Sequence, residues 1–550
     1  FFGEERSFDL NTAYGTKGKR YKTRGLIRVF ERYKFTVTEN TPIEEEIALD
    51  PELLGRVFEN LLAAYNPETG ATARKQTGSF YTPREVVDFM ADEALASVFT
   101  RIVGEGRGDD VRHLLAYNDQ PHRFSETDVG RLVEAIDKVK ILDPACGSGA
   151  FPMGMLHKLV FVLRKLDPHN ERWKQKQIDK AGEILDVDAR EKSIAGIEEA
   201  FTKNEFDYSR KLYLIENCIF GVDIQQIAVQ IAKLRVFISL VVDQKANPKL
   251  ENLGIRPLPN LETRFVAANS LFDLKKPLMP CLPDIEIRQS IERVEQELVR
   301  IRQNHFSART PKTKEKYREQ DQIARAKLKD LLEQEGWPPE ETKKLAFWDP
   351  YDQLATADFF DPEWMFEIRD GFDIVIGNPP YVRQEEIKEL KPALKKRYSC
   401  FTGVADLYVY FFERGFTLLR QGGALVFISS NKYFRAGYGE KLRGYLAREG
   451  RVKTLIDFGD APVFTAIAYP SIIVVTKQTP DGIRNVGARH AVPLITRVLN
   501  WEPGPPIEEF PRVYAEHSFE MEQAELKPDC WRLESKTVLR LLDKIRRAGT

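Results

Sequence analysis

The stretch Val139-Lys140-Ile141-Leu142-Asp143-Pro144-Ala145-Cys146-Gly147-Ser148-Gly149-Ala150-Phe151 is where the pattern of the chain changes. Val139 to Leu142 reads as a short apolar strand, Asp143 to Gly149 as a turn, and Ala150 to Lys165 as a helix. Glycines at 147 and 149 let the backbone approach a ligand closely, and Asp143 ends the strand beside them. In an open α/β sheet, the crevice at the carboxyl ends of the strands is where nucleoside cofactors bind. A glycine turn alone is weak evidence, since it can serve a dinucleotide or nothing. Asp-Pro is also the wrong lead-in for the dinucleotide fingerprint GxGxxG.

Six more strands follow from this one: Ile219–Ile224, Phe265–Ala268, Phe372–Gly377, Gly423–Ile428, Thr454–Phe458 and Ser471–Val475. Helical stretches, including a long apolar one over Ile227–Val242, alternate with them. That alternation predicts an α/β domain with a mostly parallel sheet covered on both faces. Between the third and fourth strands, residues 284–345 are dense in Glu, Lys, Arg and Gln. They keep Ile287, Ile291, Val294, Leu298 and Ile301 at helical spacing, so an inserted helical arm is expected there.

Composition sets outer bounds. The 550 residues carry 82 Lys plus Arg against 83 Asp plus Glu, so any polyanion surface has to be a local patch. Five scattered cysteines, with no CxxC pair, fit a reducing cytoplasm and argue against a disulfide framework. Seven histidines with no HxxxH spacing give no metal-cluster pattern. No run is long and apolar enough for a bilayer, so no membrane association is expected. The chain opens Phe1-Phe2 without Met, which reads as a piece of a longer protein.

Domain limits follow. Residues 1–48 form a basic segment in which Lys17, Lys19, Arg20, Lys22, Arg24, Arg28, Arg32 and Lys34 face Glu31 alone between Gly15 and Lys34. Residues 49–135 form a helical region with an amphipathic helix over Asp50–Tyr65; Thr82 can cap a second helix that has Pro83 in its first turn. The α/β domain spans 136–495. A proline-rich stretch (Pro503, Pro505, Pro506, Pro511) then makes 496–550 a linker away from it, with a short amphipathic helix over Lys536–Arg547.

The sharpest chemical signal is Asn378-Pro379-Pro380-Tyr381, directly after the strand FDIVIG. Two prolines set the backbone direction and remove two amide donors, leaving bare carbonyl acceptors. An Asn carboxamide oxygen and a proline carbonyl can then both accept from one exocyclic NH2, and Tyr381 offers a ring on which a planar base can stack.

Together these segments resemble the gamma-type N6-adenine DNA methyltransferases, as in the methylase portion of type IIG restriction–modification enzymes and related phage-exclusion methylases. The matching residues are GSFYTP (78–83), ILDPACGSGAF (141–151), GVDI (221–224), AANSLFD (267–273), FDIVIGNPPY (372–381), the segment 405–433 and the segment 456–475. The resemblance implies a Rossmann-like, S-adenosylmethionine-dependent fold and transfer of a methyl group to the N6 of an adenine flipped out of double-stranded DNA. It implies that Tyr81, Thr82 and Pro83 lie against the cofactor. Asp143, Pro144, Ala145, Gly147 and Gly149 would surround its methionine moiety, and Asp223, followed by Ile224, would hold the ribose. Asn269, standing where related enzymes often carry Asp, and Phe272 would border the adenine ring. Asn378, Pro379, Pro380 and Tyr381 would receive the target base, with Phe464 stacking on its other face.

Phosphate contacts would come from Arg383, Lys388, Lys391, Lys395, Lys396, Arg397, Arg435, Lys441 and Arg443, or these would be solvated faces. Type IIG enzymes join an upstream nuclease and a downstream target-recognition domain to the methylase. This sequence shows no metal-nuclease pattern and no base-recognition helix. NPPY also occurs in enzymes that methylate protein glutamine or RNA guanine, so those substrate classes stay open, as does a non-catalytic DNA-binding relic.

Overall fold

The computed structural model describes residues 82–182, 206–244, 258–277, 285–308, 310–464, 469–478, 493–502 and 504–535, with a few single positions beside them. Contacts divide the chain into residues 1–54 and 55–550, and every described residue falls in the second unit. The basic segment before residue 48, the Asp50–Tyr65 helix and Tyr81 lie outside the described residues, as does most of Lys536–Arg547.

A nine-stranded sheet organises the unit, in the order β3-β2-β1-β4-β5-β7-β6-β8-β9. The strands are β1 Ile141–Asp143, β2 Ile219–Asp223, β3 Phe265–Ala267, β4 Phe372–Gly377, β5 Leu419–Ser430, β6 Gly450–Asp457, β7 Pro470–Lys477, β8 Ile495–Asn500 and β9 Phe519–Glu522. β3, β2, β1, β4 and β5 run parallel, β7 lies antiparallel between β5 and β6, and β8 is parallel to β6. The sheet is the mostly parallel, Rossmann-like one that the resemblance implies.

Both faces are buried, which is why the central strands read as unbroken apolar runs. Val426 and Ile428 enter one buried cluster with Ile374 and Ile376, while Leu425 and Phe427 enter the other with Val375. Helix α1 (Arg84–Val103) packs against β4 and β5 and against α2 (Ala150–Leu166). Its residues Val86, Met90 and Ala94 share the cluster of Ile374 and Ile376. The limit expected at residue 136 is therefore not a boundary, because the helices before it supply one cover of the sheet.

The limit at 495 also moves. Ile495–Asn500, all but its first residue placed in the linker from sequence, pairs with β6 from Thr454↔Arg497 to Asp457↔Asn500, and β9 closes that edge. The prolines fall in the connection between β8 and β9, where Pro511 sits in the first turn of helix Phe510–His517. Trp531 is fully buried against Tyr433 and Phe434. Proline suits an interstrand connection as well as an exit, and composition does not separate the two.

The charged stretch forms three helices, α3 Ile285–Phe306, α4 Pro311–Gln334 and α5 Pro339–Phe347. Ile291, Val294, Leu298 and Ile301 face Ala324, Leu328 and Leu332 in one buried seam. Asp321, fully buried, accepts from Arg302 Nε at 2.9 Å and from Arg325 Nε at 2.6 Å. Arg302 also donates to the Trp364 carbonyl at 2.6 Å, which fastens the insertion to the segment leading into β4. Replacing one member of a buried ion network strands the rest. Asp321→Ala should cost about 3–5 kcal/mol of stability, read as a lowered denaturation midpoint with protease cleavage appearing inside 285–334. An unchanged midpoint would remove the network from the account.

Candidate active site

β1 pairs with β2 on one side and β4 on the other, so the strand order reverses there and the turns after β1 and β4 lie side by side. Gly147 (φ 52°) and Gly149 (φ 84°) take left-handed conformations that other residues rarely adopt. A Cβ on Gly149 would come within 3.0 Å of Ala232 Cβ, so the glycine also permits close packing of helix Gln226–Val242. The backbone amide of Gly147 donates to Asp223 Oδ2 at 2.9 Å, and that of Gln225 to Oδ1 at 2.8 Å. The acid at the end of β2 is thus held by both neighbouring turns, and burial raises its pKa.

Asp143 is 1% exposed. Its Oδ1 accepts from the Ala145 amide at 3.1 Å, whereas Oδ2 is buried without a hydrogen-bond partner. Burial pushes its carboxyl well above the usual range, and the nearby Asp223 adds to this. Burial likewise pushes up the Cys146 thiol, so it is no poised nucleophile.

A cavity of about 680 Å³ opens over these turns. Of the residues singled out from sequence, Thr82, Pro144, Ala145, Gly147, Asp223, Ile224, Asn269, Asn378 and Pro380 line it. Asp143 and Gly149 lie behind that lining, and Pro83, Phe272, Pro379, Tyr381 and Phe464 are also outside it. Phe272 lies under the Arg397 guanidinium, 5.4 Å from the ring centre. Asn269 Oδ1 accepts from the Leu271 amide at 3.2 Å. Tyr381 meets Phe464 edge to face, with centroids 6.1 Å apart and planes at 72°.

Sequence reading missed one lobe of this cavity. Val382, Ile387 and Leu390 after NPPY, and Leu407 and Phe411 around the start of helix Tyr408–Leu418, form an apolar wall, with Glu386 at its edge. Leu407 and Phe411 are four residues apart, but nearly every position of that helix is apolar and buried, so no stripe stands out.

Thr82 does not cap α1. The residue preceding the helix is Pro83, with no side-chain cap, and the Thr82 hydroxyl accepts from Asn378 Nδ2 at 3.2 Å. Arg443 is no phosphate contact: fully buried, it donates to the carbonyls of Tyr433, Ala436, Pro528 and Asp529. Arg397 is spent on Asp273, and Lys391 on Gln384 and the Gly403 carbonyl. Arg383, Lys388, Lys395, Lys396 and Arg435 are exposed, as is Lys441, which donates to the Phe401 carbonyl. Among the described residues, no group of three or more His, Cys, Asp or Glu could hold a metal ion, and no helix is long and apolar enough to cross a membrane.

Residues 217–464, from just before β2 to the ring facing Tyr381, match the family model of the Eco57I restriction-modification methylase. A putative type II restriction enzyme and methyltransferase of Methanocaldococcus jannaschii, RM.MjaORFECS2P, is 25% identical over 538 residues, covering 87% of this chain and 42% of its own. The type II methyltransferase M.PaeR7I of Pseudomonas aeruginosa is 36% identical over 128 residues, 23% of this chain and 22% of its own. This chain therefore spans less than half the length of either relative. A nuclease-deletion mutant of the type ISP restriction-modification enzyme LlaGI, in complex with a DNA substrate mimic, aligns at 14% identity and a TM-score of 0.42, over 90% of this chain and 30% of that one.

The cavity depends on a close approach between the turns after β1 and β4. A Cβ on Gly377, the last residue of β4, would sit 2.7 Å from Asp143 Oδ1. Gly377→Ala should therefore lower stability by about 1–3 kcal/mol through overpacking, readable as a lowered denaturation midpoint. A wild-type midpoint would show that the turns are not in contact.

Proposed function

We propose that this chain carries the methyl-transferring part of a restriction–modification enzyme and acts on the exocyclic N6 of an adenine flipped out of double-stranded DNA. The observation that carries this reading is one cavity lined by the glycine turn, the β2 acid and Asn378.

The residues present fit S-adenosylmethionine. Gly147 leaves open backbone beside the cavity, Asp223 on the cavity wall would accept from ribose hydroxyls, and the orphaned Asp143 Oδ2 is a buried polar atom behind Ala145. Ile224, Leu271, Leu407 and Phe411 supply apolar surface for a purine ring. When bound, the cofactor supplies an electrophilic methyl group on a sulfonium.

Adenine N6 is a poor nucleophile because its lone pair is delocalised into the ring. Asn378 Oδ1 and the Pro379 carbonyl, each accepting one N6 hydrogen, would draw those hydrogens out of the ring plane and localise the pair on nitrogen. That pair would then form the new N–CH3 bond, the electrons of the broken S–C bond staying with the donor, and the surplus N6 proton would leave to solvent. Positioning carries most of the rate. A base in a duplex cannot reach this site, and flipping it costs a few kcal/mol. Since Tyr381 and Phe464 meet edge to face, an entering base has to turn one ring aside before it can stack between them. The exposed cations Arg383, Lys388, Lys395, Lys396 and Arg435 are placed after the two site turns in sequence and would offset the flipping cost through phosphate contacts.

Full-length protein incubated with methyl-labelled S-adenosylmethionine and unmethylated duplex DNA should yield labelled N6-methyldeoxyadenosine after digestion to nucleosides. Label in protein glutamine or RNA guanine instead, or in no nucleoside, would overturn the reading. Asn378→Ala should keep cofactor affinity and lower kcat by roughly 100-fold or more, on the scale of losing one preorganised contact to the reacting group. Weakened cofactor binding with normal turnover at saturation would contradict its role.

A further inference from the structure

We propose that Thr82 is a positioning residue that sets which end of the Asn378 carboxamide faces the target amine; this rests on the methyl-transfer reading above. A primary amide has a donor end and an acceptor end of nearly the same shape. The terminal torsion of Asn is broad and roughly two-fold, so rotation exchanges the two ends at little intrinsic cost. A site that grips an NH2 group works in one orientation alone. With the oxygen toward the base, Asn378 accepts. With the nitrogen toward it, two donors face each other and the lone pair of N6 is not localised.

The structure places a partner for the nitrogen end. Thr82 Oγ1 accepts from Asn378 Nδ2 at 3.2 Å, and Thr82 is 3% exposed. The hydroxyl is not used to cap α1, whose preceding residue is Pro83 at φ −57° with no side-chain cap. Proline stiffens the backbone between Thr82 and the helix, and α1 packs against β4, the strand that ends at Gly377, and β5. Thr82 therefore sits on a rigid support tied to the strand that carries Asn378. A hydroxyl can donate as well as accept, so selection comes from two contacts acting together. The base amine requires the oxygen end, and the Thr82 hydroxyl then accepts from the Asn378 NH2 that is turned away from the base. Thr82 also lines the cavity, so a direct contact with the cofactor is the competing role.

The test compares full-length wild type with Thr82→Val, which removes the hydroxyl at nearly constant shape, and Thr82→Ser, which keeps it. Transfer to duplex DNA is followed in single turnover at saturating S-adenosylmethionine and DNA, and cofactor Kd is measured by calorimetry. Thr82→Val should transfer about 10- to 100-fold more slowly, with cofactor Kd within about twofold of wild type and most of the rate restored in Thr82→Ser. Should the valine variant fail to fold, Thr82→Ala removes the same hydroxyl without the second methyl. An undiminished rate in the hydroxyl-free variant overturns the positioning role. So does a loss confined to cofactor Kd that serine does not restore. Wild type that makes no N6-methyladenine overturns the functional reading itself, so the two failures are told apart.

Discussion

The structure depends on β1 lying between β2 and β4 at the point where the strand order reverses. The three parallel strands end on one rim, and their turns have to share the space above it. Asp223 ties two of those turns through the Gly147 and Gln225 amides, and Gly377 lets the third come against Asp143. Segments far apart in sequence therefore line one cavity. Helices among the described residues hold this rim. α1 and α2 cover one face, and the insertion packs into the buried cluster of the other through the Asp321 network.

Most of the sheet was legible because its strands are apolar on both sides. Phe372–Gly377 has the bounds read from sequence, and all seven strands read from sequence are present. β8 and β9 were not legible. Ile495–Asn500 mixes Thr496, Arg497 and Asn500 with its apolar residues, and it precedes prolines that suggested an exit. The helices before residue 136 looked like a separate region because helical periodicity does not show which surface a helix covers. Only the pairing of α1 with β4 and β5 places it inside the same core.

The candidate site divides in the same way. Asp143, Gly147, Asp223 and Asn378 stand at strand ends in short glycine or proline turns, so local pattern was enough to single them out. Leu407 and Phe411 escaped notice because they lie in an apolar run whose other side chains fill the core. Thr82 carried a local signal, Thr-Pro before a helix, which pointed to a cap, whereas its hydroxyl turns to Asn378. Arg443 shows the opposite error: a cation near the site in sequence proves to be a buried brace on four carbonyls. Charge in a sequence reports neither burial nor the carbonyls that fold against it.

The central claim is that a side-chain amide and a proline carbonyl together hold the amine of an extruded adenine over a methyl donor. The most direct measurement is a crystal structure of the full-length protein with unmethylated DNA and a non-transferable analogue of S-adenosylmethionine. The account predicts an extruded adenine whose N6 lies within hydrogen-bond reach, about 2.7–3.2 Å, of Asn378 Oδ1 and the Pro379 carbonyl oxygen, with the analogue's sulfur-equivalent atom aligned behind it. An analogue seated away from Asn378, or a base gripped by other residues while the proline turn stays packed in the protein's own core, would contradict it.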